Sequence, residues 1–477
     1  MTVANQPKLK SVTGSAISAS DLPEGWVETT LDQLLQGLES GSRPKGGVRG
    51  ITEGIPSIGG EHLNENGGFR FESIKFVPYS FFERMNQGHI QTGDILIVKD
   101  GATTGKVALV RDDFPYDPAV VNEHVFICRP DEGVYPAFLF YFLFSNEGQD
   151  RILDNFRGSA QGGINQSFAP GTSVLLAPFS EQKRIVAKVE ELLARVNATR
   201  ERLAKIPAIL KHFRQSVLAA ACAGKLTADW RRKNRSDIKW ESIALEKVIK
   251  NKPRNGYSPK AVKFPTKIKI LTLTATTSGK FDGSYFKYID EAIDIGSYLW
   301  LKKGDILVQR GNTIEYVGVS ALFDGPDNQY IYPDLMMKIQ ANEKVKAKFV
   351  YYALSDEKSR NYFRMNAIGT AGNMPKINQK IVLNTPIQLP PISEQQEIIC
   401  RVEYLFKIAD QIKERYEKAK DHVEKLSQSI LTKAFRGELV PNGVELTHRE
   451  GRSYEPASTL LAKIKAQRKD LKSQRKR

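Results

Sequence analysis

Two stretches of the chain carry the same run of apolar positions. Alternating steps of four and three from Ile185 reach Val189, Leu192, Val196, Thr199, Leu203, Ile206, Leu210, Phe213 and Val217, and nine of these ten positions are apolar. An offset of 213 gives Ile398, Val402, Leu405, Ala409, Ile412, Tyr416, Ala419, Val423, Leu426 and Ile430, all ten of which fit an apolar seam. Lys, Arg, Glu and Gln crowd the positions between. A four–three stripe held for more than four heptads predicts a long helix that shows a narrow seam to a partner. Each predicted helix opens after a proline with Ser-Glu-Gln, at Ser180 and Ser393, which suits an N-cap with acidic charge at the positive end of the dipole. Each ends near a glycine, Gly224 or Gly437, able to take the left-handed conformation. At 1.5 Å per residue, about 41 residues make a rod of ~60 Å. Pro207 interrupts the first rod and is expected to bend it or cost it a hydrogen bond.

Two arrangements fit such helices: burial in separate cores, or pairing with each other. The matched register and charged exterior favour an antiparallel coiled coil. With a globular segment between the rods, that pairing puts two globular parts at opposite ends, related by a pseudo-twofold axis.

The echo runs through the whole chain. "PFSEQKRIV" from Pro178 is answered by "PISEQQEII" from Pro391, "INQ" at Ile164 by Ile377, and "SVLAAACAGKLT" from Ser216 by "SILTKAFRGELV" from Ser429. "GDIL" occurs at Gly93 and Gly304, and Trp26 has its counterpart in Trp240. The chain is therefore read as a tandem duplication, approximately 22–236 and 237–445. The interiors of the copies diverge, which suggests one architecture addressed to two targets. Residues 22–178 and 238–391 read as mixed α/β. "GDILIVKDGATTGKVALV" and "GDILVQRGNTIEYVGVS" each predict two short strands about a turn, and "AFLFYFLFSNEGQDRI" and "KFVYYALSDEKSRNYF" predict helices.

At 477 residues the chain exceeds a single core. Its net charge of +16 points to an anionic partner, nucleic acid before a membrane surface. Lys463 to Arg477, with eight Lys or Arg and one Asp, supply +7 of that excess, so the globular parts are only modestly basic. Such a run reads first as a solvated tail. Cys128, Cys222 and Cys400 form no CxxC pair, which supports neither disulfides nor zinc and suits a reducing cytoplasm. The longest apolar run, Ala137 to Phe144, is far below the ~20 residues that span a bilayer.

No catalytic residue and no metal ligand is nominated. "GATTGKV" is one residue short of a phosphate loop and ends in Val where Mg²⁺ needs a hydroxyl. "NTPIQLPP" lacks the Asn-Pro-Pro-aromatic run that clamps an extruded adenine, and the six histidines are dispersed. What remains is recognition chemistry on Gly-rich loops. The first copy offers Arg43, Lys45 and Arg49; Lys99, Thr103, Thr104 and Lys106; and Arg157, Gln161, Asn165 and Gln166. The second offers Lys252, Arg254, Asn255, Tyr257 and Lys260; Arg310, Asn312 and Thr313; and Asn373, Lys376, Asn378 and Gln379. Arg reads guanine edges, Asn and Gln read adenine, and Lys and Arg hold phosphates. Turn chemistry alone accounts for any one such loop. Recurrence in both copies is what brings DNA into the picture.

"LPEGW" at Leu22, "GDILI" at Gly93, the "INQ" stretches, "PFSEQKRIVAKVEELL" and its echo, "GKLTADWR" after the first helix, and "GELVP" with "EPASTLLAKIKAQR" after the second resemble the specificity subunit of type I restriction–modification enzymes. The resemblance covers residues 22–470. It implies a non-catalytic reader of double-stranded DNA whose two target-recognition domains each read one part of a bipartite, asymmetric site. The implied division is 1–21 as an N-terminal extension, 22–179 as the first target-recognition domain and 180–236 as the first spacer helix and linker. The second domain then takes 237–392, the second spacer helix 393–440 and the basic tail 441–477. Two adenine-N6 methyltransferase subunits carrying S-adenosylmethionine, and two motor-nuclease subunits using ATP and Mg²⁺, are the implied partners in a bacterial or archaeal cytoplasm. This chain would bind no cofactor. Two other readings stand beside it: an enzyme acting alone on nucleic acid, and a coiled-coil scaffold holding nucleic acid nonspecifically through its basic tail.

Overall fold

The computed structural model describes residues 22–158, 162–234, 239–369, 374–450 and 455–474. The chain divides into two compact units, Met1–Arg202 with Lys420–Arg477, and Leu203–Ala419.

In the first unit, strands β1 (Leu35–Ser40), β2 (Ile95–Val98), β3 (Val107–Leu109) and β4 (Val125–Pro130) form an antiparallel sheet in the order β1-β4-β2-β3. All four residues of β2 are buried, so both faces of the sheet are covered. Successive side chains point to opposite faces. Ile95 and Ile97 accordingly join the cluster built on Phe138, Phe142 and Phe168, while Leu96 and Val98 join Ile58, Leu63 and Val121. The second unit repeats the plan with β5 (Arg254–Asn255), β6 (Ile306–Gln309), β7 (Ser320–Leu322) and β8 (Met336–Ile339), ordered β5-β8-β6-β7. Ile306 and Val308 face Phe349 and Val350; Leu307 faces Phe323 and Tyr332. The aromatic segments are helical as expected, at Pro136–Phe144 and Asn146–Leu153, and at Ala347–Ser355 and Glu357–Asn366.

The apolar stripes form helices α1 (Phe179–Ala204), α2 (Ile206–Cys222) and α3 (Ile392–Phe435). The break between α1 and α2 falls where Pro207 required it, because a proline in the first turn of a new helix wastes no hydrogen bond. Gly224 and Gly437 do take the left-handed conformation, with φ of +70° and +71°. Each leads into a bond from the next amide to a carbonyl five residues back, Lys225 N to Ala220 O and Glu438 N to Lys433 O, both 2.9 Å.

Pairing is antiparallel inside each unit. Ile185, Val189 and Val196 share a cluster with Ile430, Leu431 and Phe435 in the first, and Val217, Leu218 and Ala221 share one with Ile398 and Val402 in the second. These clusters are also the domain cores: Phe435 meets the rings of Phe138 and Phe142 at 5.3 and 5.2 Å. Both arrangements read from the stripe therefore hold, with helix ends serving as core and as coiled-coil partner. Exposure rises along the seam to 42% at Ile412.

The repeated Ser-Glu-Gln has a different job from the expected cap. Helices α1 and α3 start one residue earlier, so Ser180 and Ser393 lie inside the first turn, and the carbonyl of Pro178 accepts from the amides of Glu181 and Gln182. Glu and Gln are what the motif preserves. Trp26 Nε1 donates to Glu181 at 2.8 Å, and Trp240 Nε1 to Glu394 at 2.9 Å. Gln182 accepts from Tyr135 N and donates to Ala177 O; Gln395 accepts from Lys346 N and donates to Pro390 O. All four side chains are fully buried. A buried carboxylate or amide stays in place only when its hydrogen bonds are met, so the motif fixes where each helix leaves its domain.

The basic C-terminal run is not simply a solvated tail. Its residues up to Gln474 lie in helix α4 (Ala457–Gln474), whose Ala457, Leu461 and Ile464 are buried in the first unit's core, and residues 475–477 lie outside the described residues. Arg468 donates to the carbonyl of Asp32 at 2.7 Å.

Candidate nucleic-acid interface

In both units a buried aspartate of the "GDIL" turn sets the position of the central strand. Asp94 accepts from Gln91 N at 2.8 Å and from Arg129 through two bonds of 2.8 Å. Burial pushes the Asp94 carboxyl up, against the pull of Arg129. Asp305 accepts from Lys302 N at 2.9 Å and from Gln340 Nε2 at 2.7 Å. The strand then delivers Lys99 or Arg310 to the loops at its end.

Those loops are stitched together in the same way twice. Lys99 N donates to His124 O, and Ile164 N donates to Lys99 O at 2.7 Å. Arg310 N donates to Leu335 O, and Ile377 N donates to Arg310 O, both at 2.8 Å. Gly163 bridges Asp100 and Arg157, as Lys376 bridges Gly311 and Ile368. The "INQ" isoleucines are the buried anchors of this seam, at 4% and 0% exposure. The structure thus brings residues 99–106, 157–158 and 162–166 to one end of the first domain, and 310–313 and 374–379 to the matching end of the second.

The glycine-rich loop of the first unit joins them through a polar chain that sequence reasoning missed. Arg43 pairs with Glu123 at 3.2 Å, His124 Nε2 lies 3.4 Å from Glu123, and His124 Nδ1 lies 2.6 Å from Asp100. In the second unit Ser258 donates to Asp334, the residue in the position of Glu123. The 211-residue offset of "GDIL" applied to Glu123 would have found it.

Individual candidates differ in freedom. Lys45, Arg49, Thr103, Arg157, Gln166, Lys252, Arg254, Tyr257, Lys260, Thr313, Lys376 and Gln379 are exposed. Lys99 lies 5.6 Å from the Phe126 ring centre, and Thr104 donates to Gly101 O. Lys106 is turned inward, with only 12% of its side chain exposed, and is paired with Glu65 at 2.6 Å. Asn165 and Asn378 spend their carbonyl oxygens on the local backbone, accepting from Ser167 N and Ile381 N. Asn312 donates to Gln309 at 2.7 Å, and Tyr257 donates to Glu291 at 3.1 Å. Gln161 and Asn373 lie outside the described residues. Arg310 Nε, Asn255 Oδ1 and Glu123 Oε2 are buried on these loops without a protein partner. Such atoms suit a surface that receives a hydrogen-bonding ligand. Among the described residues no three His, Cys, Asp or Glu are grouped to hold a metal ion, and no helix is long and apolar enough to cross a membrane.

The family model for the type I restriction modification DNA specificity domain matches the chain twice, at residues 23–208 and 237–420. The chain belongs to this family. Each match takes in one loop-bearing domain and most of its helix, which is the duplication described above. Relatives of this specificity family resemble the chain over nearly its whole length. The type I restriction enzyme EcoKI specificity subunit of Escherichia coli K12 is 29% identical over 459 residues, covering 95% of this chain and 97% of that protein. The StySPI specificity subunit of Salmonella potsdam is 30% identical over 463 residues, covering 94% and 96%. The fold agrees with an HsdS subunit from Thermoanaerobacter tengcongensis, with a TM-score of 0.57 at 19% identity over 88% of this chain and 98% of the other. A chain from a study of assembly and conformational transition in the type I R-M system reaches 0.65 at 19% identity, over 88% and 99%.

Proposed function

We propose that this specificity subunit reads a bipartite, asymmetric DNA site, each unit using its stitched loop end for one part. The observation that carries the reading is the same loop seam built twice from different residues: Lys99, Asp100, Arg157 and Gly163 in one unit, Arg310, Gly311, Ile368 and Lys376 in the other. Backbone bonds hold the frame, and the side chains on it supply the donors and acceptors that distinguish bases. Glycines at the loop tips, three of them with positive φ between Gly46 and Gly50, let the backbone approach a groove.

In this proposal the chain performs no chemistry. Two adenine-N6 methyltransferase subunits supply S-adenosylmethionine and the pocket for a flipped adenine, and two motor-nuclease subunits supply the ATP- and Mg²⁺-dependent steps. The assembly works in the cytoplasm of a bacterium or archaeon. A scaffold that binds nucleic acid only through a free basic tail fits less well, because α4 buries Leu461 and Ile464 against its own domain.

The test is a methylome. The chain is expressed with its methyltransferase partner and the modified genome is sequenced. A two-part motif with an unspecified spacer is expected, and replacing residues 22–178 with a relative's domain changes one part only. A single undivided motif, or a swap that changes both parts, refutes the proposal.

A further inference from the structure

The second unit carries a small, strongly basic pocket. It measures about 230 Å³, and Lys252, Arg254, Tyr298, Lys302 and Lys338 line it together with Trp300, Gln340 and neighbouring polar and glycine residues. Lys338 is the unusual member. Its side chain is 8% exposed, and its ammonium donates to the carbonyl of Trp300 at 2.8 Å and lies 3.4 Å from Asp305. The Arg254 guanidinium is stacked over Tyr298, 4.7 Å from the ring centre. Among the described residues, no carboxylate lies within ion-pair distance of Lys252, Arg254 or Lys302.

Strand register identifies what occupies these places in the other copy. Arg254 and Leu307 flank Lys338 as Glu39 and Leu96 flank Ile127, so Lys338 stands where the first unit has a fully buried isoleucine. By the same alignment Arg254 replaces Glu39, Lys302 replaces Gln91 and Gln340 replaces Arg129. The four positions sum to zero charge in the first unit and to +3 in the second. The fold does not need a lysine here, since Ile127 serves the same slot. The Asp305 carboxylate offsets one of these three cations, and the other two stay uncompensated beside it, an arrangement that favours a further anion. Burial draws the Lys338 ammonium down, and the nearby charges of Lys302 and Arg254 draw it further against the pull of Asp305.

We propose that this pocket is a phosphate site held by Arg254, Lys302 and Lys338, with Lys252 at its rim. The volume lies below the ~300–1,000 Å³ of pockets that enclose whole small molecules, which favours one phosphate group over an entire nucleotide. Arg254, set flat by Tyr298, presents the planar fork that matches two phosphate oxygens. Strand β5 runs on directly through Gly256 to Ser258, on the loop end of the domain. A phosphodiester of bound DNA and free inorganic phosphate share this chemistry, and the DNA source rests on the function proposed above.

The experiment uses the full-length chain and has two arms. In the first, inorganic phosphate is compared with chloride at matched ionic strength. A saturable rise in unfolding temperature is expected for the wild type and not for the Arg254→Gln/Lys302→Gln variant, whose altered side chains are exposed and spare the core. In the second, affinity for cognate and scrambled duplexes is followed against salt. The double variant is expected to lower the log–log slope by about one and to weaken both duplexes alike. Stabilisation by phosphate with an unchanged slope assigns the pocket to a free anion and supports the phosphate site. Failure of both arms overturns it. Equal binding of the two duplexes by the wild type sinks the sequence-reading function and leaves the phosphate arm standing.

Discussion

Glu394 is a point at which the second unit is sensitive to a single change. Its fully buried carboxylate accepts from Thr227 Oγ1 at 2.6 Å, from Trp240 Nε1 at 2.9 Å and from the Arg231 guanidinium. Glu394→Ala strands all three donors, one of them charged. Breaking a buried ion pair from one side costs about 3–5 kcal/mol. Glu394→Gln keeps one acceptor and loses the charge, so about 1.5–3 kcal/mol is expected, the worth of a bond to an ionised group. Thr227→Val removes one hydroxyl donor and should cost about 1 kcal/mol. Urea unfolding followed by tryptophan fluorescence measures the series, since Trp230, Trp240 and Trp300 lie in the second unit and Trp26 in the first. With a slope of about 2 kcal/mol per molar urea, Glu394→Ala moves the second unit's midpoint down by about 2 M. A shift under about 0.5 M, or an alanine variant no worse than Thr227→Val, would refute the claim that the repeated Ser-Glu-Gln is an anchor.

Three further outcomes are expected. Burial holds the Glu181 carboxyl above the usual range although Trp26 and Gly443 draw it down. A folded value above the unfolded one means that this group's stabilisation is present at low pH and is lost as pH rises through the folded value. The urea-midpoint advantage of wild type over Glu181→Gln should therefore shrink as pH rises above the ordinary carboxylate range. Ile464→Ala empties a buried site beside Gly133 and should cost the first unit about 2–5 kcal/mol, with the second unit's transition unmoved in the same urea titration. Buried Arg360 donates to Val317 O at 2.7 Å and Glu315 O at 2.8 Å, holding the loop that follows Arg310. Arg360→Met should cost about 1.5–3 kcal/mol and speed amide exchange at Tyr316 and Val317, read by mass spectrometry.

The duplication and the helices were legible because both are periodic: one repeat of the chain, one repeat of the turn. The hairpins were legible because "GDIL" sits beside short alternating runs. The loop ends were harder to read. Lys99 and Ile164 meet through a single long-range backbone bond, and no local pattern announces it. Asn165 and Asn378 carry the residue type that reads adenine, yet an asparagine two or three residues before a free amide folds onto its own backbone first. Lys106 looked like a loop tip because Glu65, its partner, lies 41 positions away in the chain. The C-terminal helix was obscured by its own charge: seven excess positive charges drew attention from Leu461 and Ile464, spaced to lie on one helical face.

The first unit is assembled from both sides of the second in the chain: Glu181 accepts from Gly443, and Ile185 packs with Phe435. During synthesis the ribosome must therefore finish the second unit, Leu203–Ala419, before the first can close its core. The half that is read first is completed last. Until α3 ends and α4 emerges, the cluster around Phe138 lacks Phe435, Leu461 and Ile464 and stays exposed, a window in which a nascent chain is most open to aggregation.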